Sequence, residues 1–88
     1  MAKVEIYTSP FCGYCMRAKD LLSKKGVAFE ETDTFTTPGA RDAMTSRAHG
    51  HYTVPQIFIN GDHVGGCDEL YDLERHGKLD ALLAQEPA

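Results

Sequence analysis

Eighty-eight residues suffice for one core and leave no room for a second, and a chain this size buries roughly 60–65% of its unfolded surface, so it folds without a metal or a disulfide staple. The hydrophobic (42%) and charged (25%) fractions are those of a globular protein, and a net charge of −4 speaks against nucleic acid or an anionic membrane as partner. No apolar run approaches the ~20 residues of a membrane span, and the charged start MAKVEIY lacks a signal-peptide core, which predicts a cytoplasmic protein.

Residues 3–8 (KVEIYT) set Val4, Ile6 and Thr8 against Glu5 and Tyr7, the alternation of a strand, and Ser9-Pro10 breaks it. From Gly13 onward, Cys15, Ala18, Leu21 and Leu22 recur at helical spacing. That helix stops at Lys24-Lys25-Gly26, with cations in its last turn and glycine just beyond. Residues 27–33 (VAFEETD) predict a second strand. Thr37-Pro38 predicts an N-cap and first turn for a helix whose apolar side is Ala40, Ala43, Met44 and Ala48.

After a loop over 49–55, residues 56–60 (QIFIN) predict a strong strand, Asn60-Gly61 a hairpin turn, and 63–66 (HVGG) its return strand. Helices over 67–77 and 79–85 complete a β-α-β-α-β-β-α(-α) order. A strand–helix–strand start implies a parallel pair with a right-handed crossover, and the hairpin adds antiparallel strands. The expectation is a single α/β domain over residues 1–88, a mixed four-stranded sheet with helices on both faces.

Three cysteines are an odd number, unlike the disulfide framework of a secreted protein, and Cys12 and Cys15 form a CxxC at a strand-to-helix junction. Two buried core thiols are one reading of that pair. Half of a zinc site, completed by His49 and His51, is another, although their spacing is not that of a zinc finger. The junction favours a third. Free N–H groups and the helix dipole at a helix start stabilise an anion, so the pKa of Cys12 should fall below the free-thiol value of ~8.5. Cys15, one turn on and inside the apolar stripe, should be less accessible and less acidic.

A drop of about three units raises the thiolate fraction at pH 7 roughly 30-fold and, at a Brønsted slope of ~0.45, cuts nucleophilicity roughly 20-fold. The two nearly cancel for attack. The gain is in Cys12 as a leaving group, which suits thiol–disulfide exchange.

Three motifs in order, CGYC (12–15), TVPQIFING (53–61) and GGCDEL (65–70), resemble the glutaredoxin family, specifically its small bacterial dithiol members, over nearly the whole chain. The resemblance implies a thioredoxin-like fold and glutathione as electron donor. Cys12 would attack a protein–glutathione mixed disulfide or a protein disulfide, and Cys15 would resolve the latter, leaving a redox-active Cys12–Cys15 disulfide. The implied partners are glutathione and glutathionylated or disulfide-containing proteins, acted on by a monomer.

For binding, the resemblance implies a cis Val54–Pro55 bond beside Cys12, with the Val54 backbone pairing with the cysteine of glutathione between Thr53 and Pro55. The N–H groups of Cys67 and Asp68, after Gly66, would take the γ-glutamyl carboxylate, and the Asp68 carboxylate the ammonium. Tyr14 would flank the tripeptide, and Cys67 would be a small helix-start residue rather than a third catalytic thiol. Similar proteins often carry a lysine shortly before the first cysteine; Ser9 stands in that stretch here, leaving Arg47 to offer a charge to the glycine carboxylate. Relatives with glycine after the first cysteine can hold a [2Fe–2S] cluster between two subunits, ligated by that cysteine and glutathione. Gly13 permits that alternative, while Tyr14 and Cys15 depart from the monothiol carriers' pattern. A further alternative, a redoxin reduced by thioredoxin reductase, sits poorly with GGCD.

Overall fold

The computed structural model describes residues 1–87; Ala88, the last residue of the predicted domain, lies outside them. Eight elements follow in the expected order: β1 (Val4–Thr8), α1 (Gly13–Lys24), β2 (Glu30–Asp33), α2 (Ala40–Arg47), β3 (Gln56–Ile59), β4 (Asp62–Gly65), α3 (Cys67–Arg75) and α4 (Leu79–Ala84). The sheet order is β2-β1-β3-β4, with β1 parallel to β2 and antiparallel to β3, and β3 antiparallel to β4. The parallel pair is joined through α1, because parallel neighbours need a crossover.

Strand alternation sorts the core into two layers. Val4 and Ile6 of β1 and Ile57 and Ile59 of β3 meet Ala18 and Leu22 of α1, Leu70 of α3 and Leu79 of α4. Their neighbours Tyr7 and Phe58 turn to the opposite face and meet Met44 and Ala48 at α2. Each fully buried Leu, Ile or Phe contributes about 1.5–3 kcal/mol relative to exposure, so the larger α1/α3/α4 layer supplies most of the hydrophobic stability. The smaller layer is closed by Arg47. Its guanidinium carbon stands 4.1 Å from the Phe58 ring centroid and its two terminal nitrogens donate to the Glu5 carboxylate, each at 3.0 Å.

Two elements start at least two residues later than expected, each at a glycine, while α3 ends at Arg75 rather than 77 and the remaining ends lie within one residue of expectation. Residues 27–29 stay out of β2: Gly26 turns the chain at φ 73°, the Val27 N–H reaches back to Leu22 O at 3.4 Å, and the Val27 side chain enters the core from the loop. Thr37 and Pro38 do not open α2. The Ala40 N–H bonds Thr37 O at 3.1 Å to close a turn, and the helix begins only after Gly39, at φ 75°. A left-handed residue at the N-cap interrupts helical geometry, so Thr37 is cut off from the helix it was expected to cap. Asn60 (φ 53°) and Gly61 (φ 84°) make the hairpin turn that their sequence announces.

Candidate active site

Between β1 and α1 the chain reverses through Phe11, a non-glycine residue at φ 57°, and delivers Cys12 as the N-cap of α1. The Cys12 Sγ accepts the Cys15 backbone N–H at 3.1 Å. A sulfur here takes the place of the hydroxyl or carboxylate oxygen that usually caps a helix, so an otherwise unpaired donor and the positive helix end both face it.

Cys15 belongs to the core. It is 1% exposed, and burial, with the neighbouring Cys12 sulfur adding to it, pushes its thiol up to about 12 from a reference of 9.0. The pair is thus asymmetric, half-buried Cys12 against buried Cys15, and all three cysteines are free thiols. A raised thiol pKa means that folding favours the neutral form. The Cys15 contribution to stability is complete below pH 9 and lost as pH climbs toward 12. Urea midpoints of the reduced protein should therefore fall more between pH 7 and about pH 11 than those of the disulfide form, in which Cys15 has no proton to lose.

Across from Cys12 lies the segment before β3. The Val54–Pro55 peptide is cis, and the Cys12 Sγ stands 3.9 Å from Val54 O. A groove of about 340 Å³ opens beside this contact, lined by Tyr14, Thr53, Val54, Pro55, Gly66, Cys67, Asp68 and Glu69. The structure thus brings together every residue singled out from the sequence for binding except Arg47.

The glycine pair makes the groove wall thin. Gly65 has φ 122°, and a Cβ there would stand 2.8 Å from the Glu69 side chain. A Cβ on Gly66 would stand 3.3 Å from Pro55 O. Gly65→Ala should cost about 1–3 kcal/mol, the range for a residue forced into sparsely populated backbone space, as measured by thermal or urea unfolding.

Glu69 was not among the expected residues. Its Oε1 accepts the Gly66 N–H at 2.6 Å, tying the groove wall to the first turn of α3. The signal was present: glutamate at the third helical position after an N-cap reaches back to the cap N–H. Asp68, exposed on the same turn, makes no ion pair among the described residues. Cys67 is 4% exposed and burial raises its pKa, which disfavours the thiolate and fits a small packed residue.

Arg47 corrects the sequence reading. Instead of facing the groove, it is held by both oxygens of Glu5 and donates to the Tyr7 hydroxyl at 3.1 Å. A charge already satisfied by a bidentate carboxylate has little left for a ligand. Lys19 and Lys24 of α1 and Lys25 at its C-cap are similarly engaged, with Glu31, with Asp20 and with Glu74 and Asp80 respectively, whereas Arg17 of α1 makes no ion pair among the described residues and stands over the Tyr71 ring. The zinc set drawn from both cysteines and two histidines is not assembled either: the rings of His49 and His51 pack against His63.

The chain is similar to known proteins. The family model described as Glutaredoxin matches residues 4–64. Glutaredoxin 3 of Escherichia coli K12 is 54% identical over 83 residues, covering 94% of this chain and 99% of that protein. The solution structure of a Brucella melitensis glutaredoxin superposes with a TM-score of 0.81 at 57% identity, covering 94% of this chain and 89% of that one. A buckwheat glutaredoxin–glutathione complex superposes with a TM-score of 0.85 at 30% identity, covering 93% and 76%. Their shared architecture is the thioredoxin-like one expected above, and no helix among the described residues is long and apolar enough to cross a membrane. With a CxxC thiol capping α1 beside a cis-proline groove, the chain belongs to the glutaredoxin family, glutathione-dependent thiol–disulfide oxidoreductases.

Proposed function

We propose that Cys12 is the nucleophile, Cys15 the resolving thiol, and the groove from Thr53 to Asp68 the glutathione site. The observation that supports this most is the Cys12 Sγ, bonded by the Cys15 N–H and 3.9 Å from Val54 O at the groove. On a protein–glutathione mixed disulfide, the Cys12 thiolate attacks the glutathione sulfur. A Cys12–glutathione disulfide forms and the protein thiolate leaves, taking a proton from water. A second glutathione thiolate attacks the glutathione sulfur of that adduct, releasing glutathione disulfide and restoring the Cys12 thiolate.

On a protein disulfide, Cys12 attacks one sulfur and the other leaves as a thiolate. Cys15, kept protonated by burial, must lose its proton to attack the Cys12 sulfur; the departing substrate thiolate is the natural acceptor. The product is a Cys12–Cys15 disulfide, which two glutathione molecules reduce. The reducing cytosol supplies the glutathione this cycle consumes.

The Val54 backbone offers one N–H and one C=O to the cysteine of glutathione, in the manner of a short added strand. The first N–H groups of α3 at Cys67 and Asp68 take the γ-glutamyl carboxylate, and the unpaired Asp68 carboxylate takes the ammonium. Tyr14, 59% exposed, lines the groove and offers its ring to the tripeptide. Hydrogen bonds to charged groups contribute about 1.5–3 kcal/mol, so Asp68→Asn should raise the KM for glutathione at least about tenfold with little change in stability. A coupled glutathione reductase assay checks it; an unchanged KM removes Asp68 from the site.

A second reading is favoured by one observation: apart from its chain neighbours, a Cβ on Gly13 meets nothing within 4 Å, so the first turn of α1 next to Cys12 faces open space. A [2Fe–2S] cluster shared by two copies would there be ligated by Cys12 of each and by glutathione, and when bound it supplies a cluster for transfer. Cys12 is the one half-buried thiol, so each copy has a single cysteine to offer. Anaerobic purification with glutathione tests this: a colourless monomer counts against it, and visible charge-transfer absorbance in a dimer supports it.

A further inference from the structure

Three of the four histidines meet at one place that the thiol chemistry does not use. His49 and His51 come from the loop after α2 and His63 from β4. The Nδ1 atoms of His49 and His63 stand 3.3 Å apart, and the His51 ring centroid lies 6.0 Å from that of His63. His49 sits at φ 57°, a left-handed conformation that non-glycine residues rarely adopt, so its ring is delivered to His63 against a local backbone preference.

The orientation of His63 is fixed from behind. Its Nε2 lies 2.6 Å from Gln56 Oε1, and an amide oxygen only accepts, so Nε2 carries the proton. Nδ1 of neutral His63 is then a bare lone pair aimed at His49. The Phe58 ring packs beside that of His63, centroid to centroid at 5.2 Å.

This is the arrangement of a metal-ligating imidazole: one ring nitrogen free, the other donating to an oxygen that sets its tautomer. Two nitrogens each 2.0–2.1 Å from a tetrahedral centre stand about 3.3–3.4 Å apart, whereas square-planar neighbours stand about 2.9 Å apart. The observed separation matches the tetrahedral bite. We propose that His49 and His63 form a two-nitrogen chelate for a divalent late first-row cation, zinc by its geometry, on the flank of the active-site groove.

Among the described residues no third His, Cys, Asp or Glu completes a metal-ligating group with the pair, His51 being near but not in ligating position. Two coordination positions are left to water, and exposed His51 reaches them only by rotating its side chain. The site is therefore open and exchangeable rather than structural. Binding needs no net loss of protons: His49, which donates from Nδ1 in the metal-free protein, moves that proton to Nε2 and turns Nδ1 to the metal. His63 also lines a cavity of about 360 Å³ that shares Thr53, Gly66 and Glu69 with the active-site groove. The cation would sit next to bound thiol substrates without touching Cys12.

The test uses the full chain with Cys12→Ser and Cys15→Ser, since active-site thiols compete for zinc. Zn²⁺ is titrated while long-range ¹H–¹⁵N spectra follow the imidazole nitrogens. The expected result is that Nδ1 of His49 and of His63 shift together and saturate at one zinc per chain, while His76, at the far end of α3, stays put. His49→Asn and His63→Asn should each abolish the saturable shift, with the backbone amide spectrum confirming the fold. Gln56→Leu should weaken zinc about 10–100-fold, the usual cost of losing the oxygen behind a ligating imidazole. Unmoved Nδ1 resonances, or unchanged zinc affinity in either histidine variant, would overturn the assignment and leave the pair as a hydrogen bond only.

Discussion

Cys12→Ser is expected to reduce glutathione-dependent activity to the uncatalysed level on every substrate, and Cys15→Ser to spare deglutathionylation while removing protein-disulfide reduction. The first loss follows because no other thiol can substitute: Cys15 is 1% exposed and Cys67 4% exposed, and burial raises the pKa of each. The second split follows from the chemistry. A glutathionylated Cys12 is resolved by external glutathione, whereas a mixed disulfide with a protein needs a thiol one helical turn away. Parallel assays on a glutathionylated peptide and on a disulfide-bonded protein read the two outcomes. Equal losses on both substrates for Cys15→Ser would assign Cys15 a structural role instead.

Arg47→Met should cost about 1–3 kcal/mol of stability and leave the KM for glutathione unchanged. The range lies between an exposed ion pair and a buried one, because the Arg47 and Glu5 side chains are 32% and 21% exposed. Removing the guanidinium strands the Glu5 carboxylate on the smaller core layer and uncovers Phe58. Hydrogen bonding to Arg47 holds the Glu5 carboxyl below its reference of 4.5, so this contribution is present above that pH and disappears as pH falls below it. The stability gap between wild type and variant should therefore narrow in acid. Denaturant unfolding at several pH values, beside glutathione kinetics, separates this role from ligand binding: a raised KM at unchanged stability would return Arg47 to the groove.

Much of this architecture is legible in the residues. Val4, Ile6, Ile57 and Ile59 announce their strands because a period of two places them on one buried face, and Tyr7 and Phe58 mark the other by the same rule. The position of Cys12 at a strand-to-helix junction is equally local, since Ser9-Pro10 and the apolar stripe from Cys15 bracket it. What the pattern could not show were contacts between distant segments. Arg47 reads as a free helix cation with a charge to offer the glycine carboxylate of glutathione, and only the pairing of β1 with β3 reveals that Glu5, Tyr7 and Phe58 lie beneath it. Thr37-Pro38 has the composition of a helix start. The left-handed Gly39 after it overrides that preference, because glycine's freedom leaves its conformation undetermined by sequence. The histidine cluster was hidden for a similar reason: His49 and His63 are fourteen residues apart, and a loop and a strand must fold before they meet.

The division of labour between the two cysteines can be read from one adduct. The Cys15→Ser protein, incubated with glutathione disulfide and analysed by peptide mass mapping, should carry a single glutathione on Cys12 and none on Cys67. Glutathione on Cys67, or no adduct at all under conditions where the folded protein persists, would contradict Cys12 as the thiol that α1 and the groove are built around.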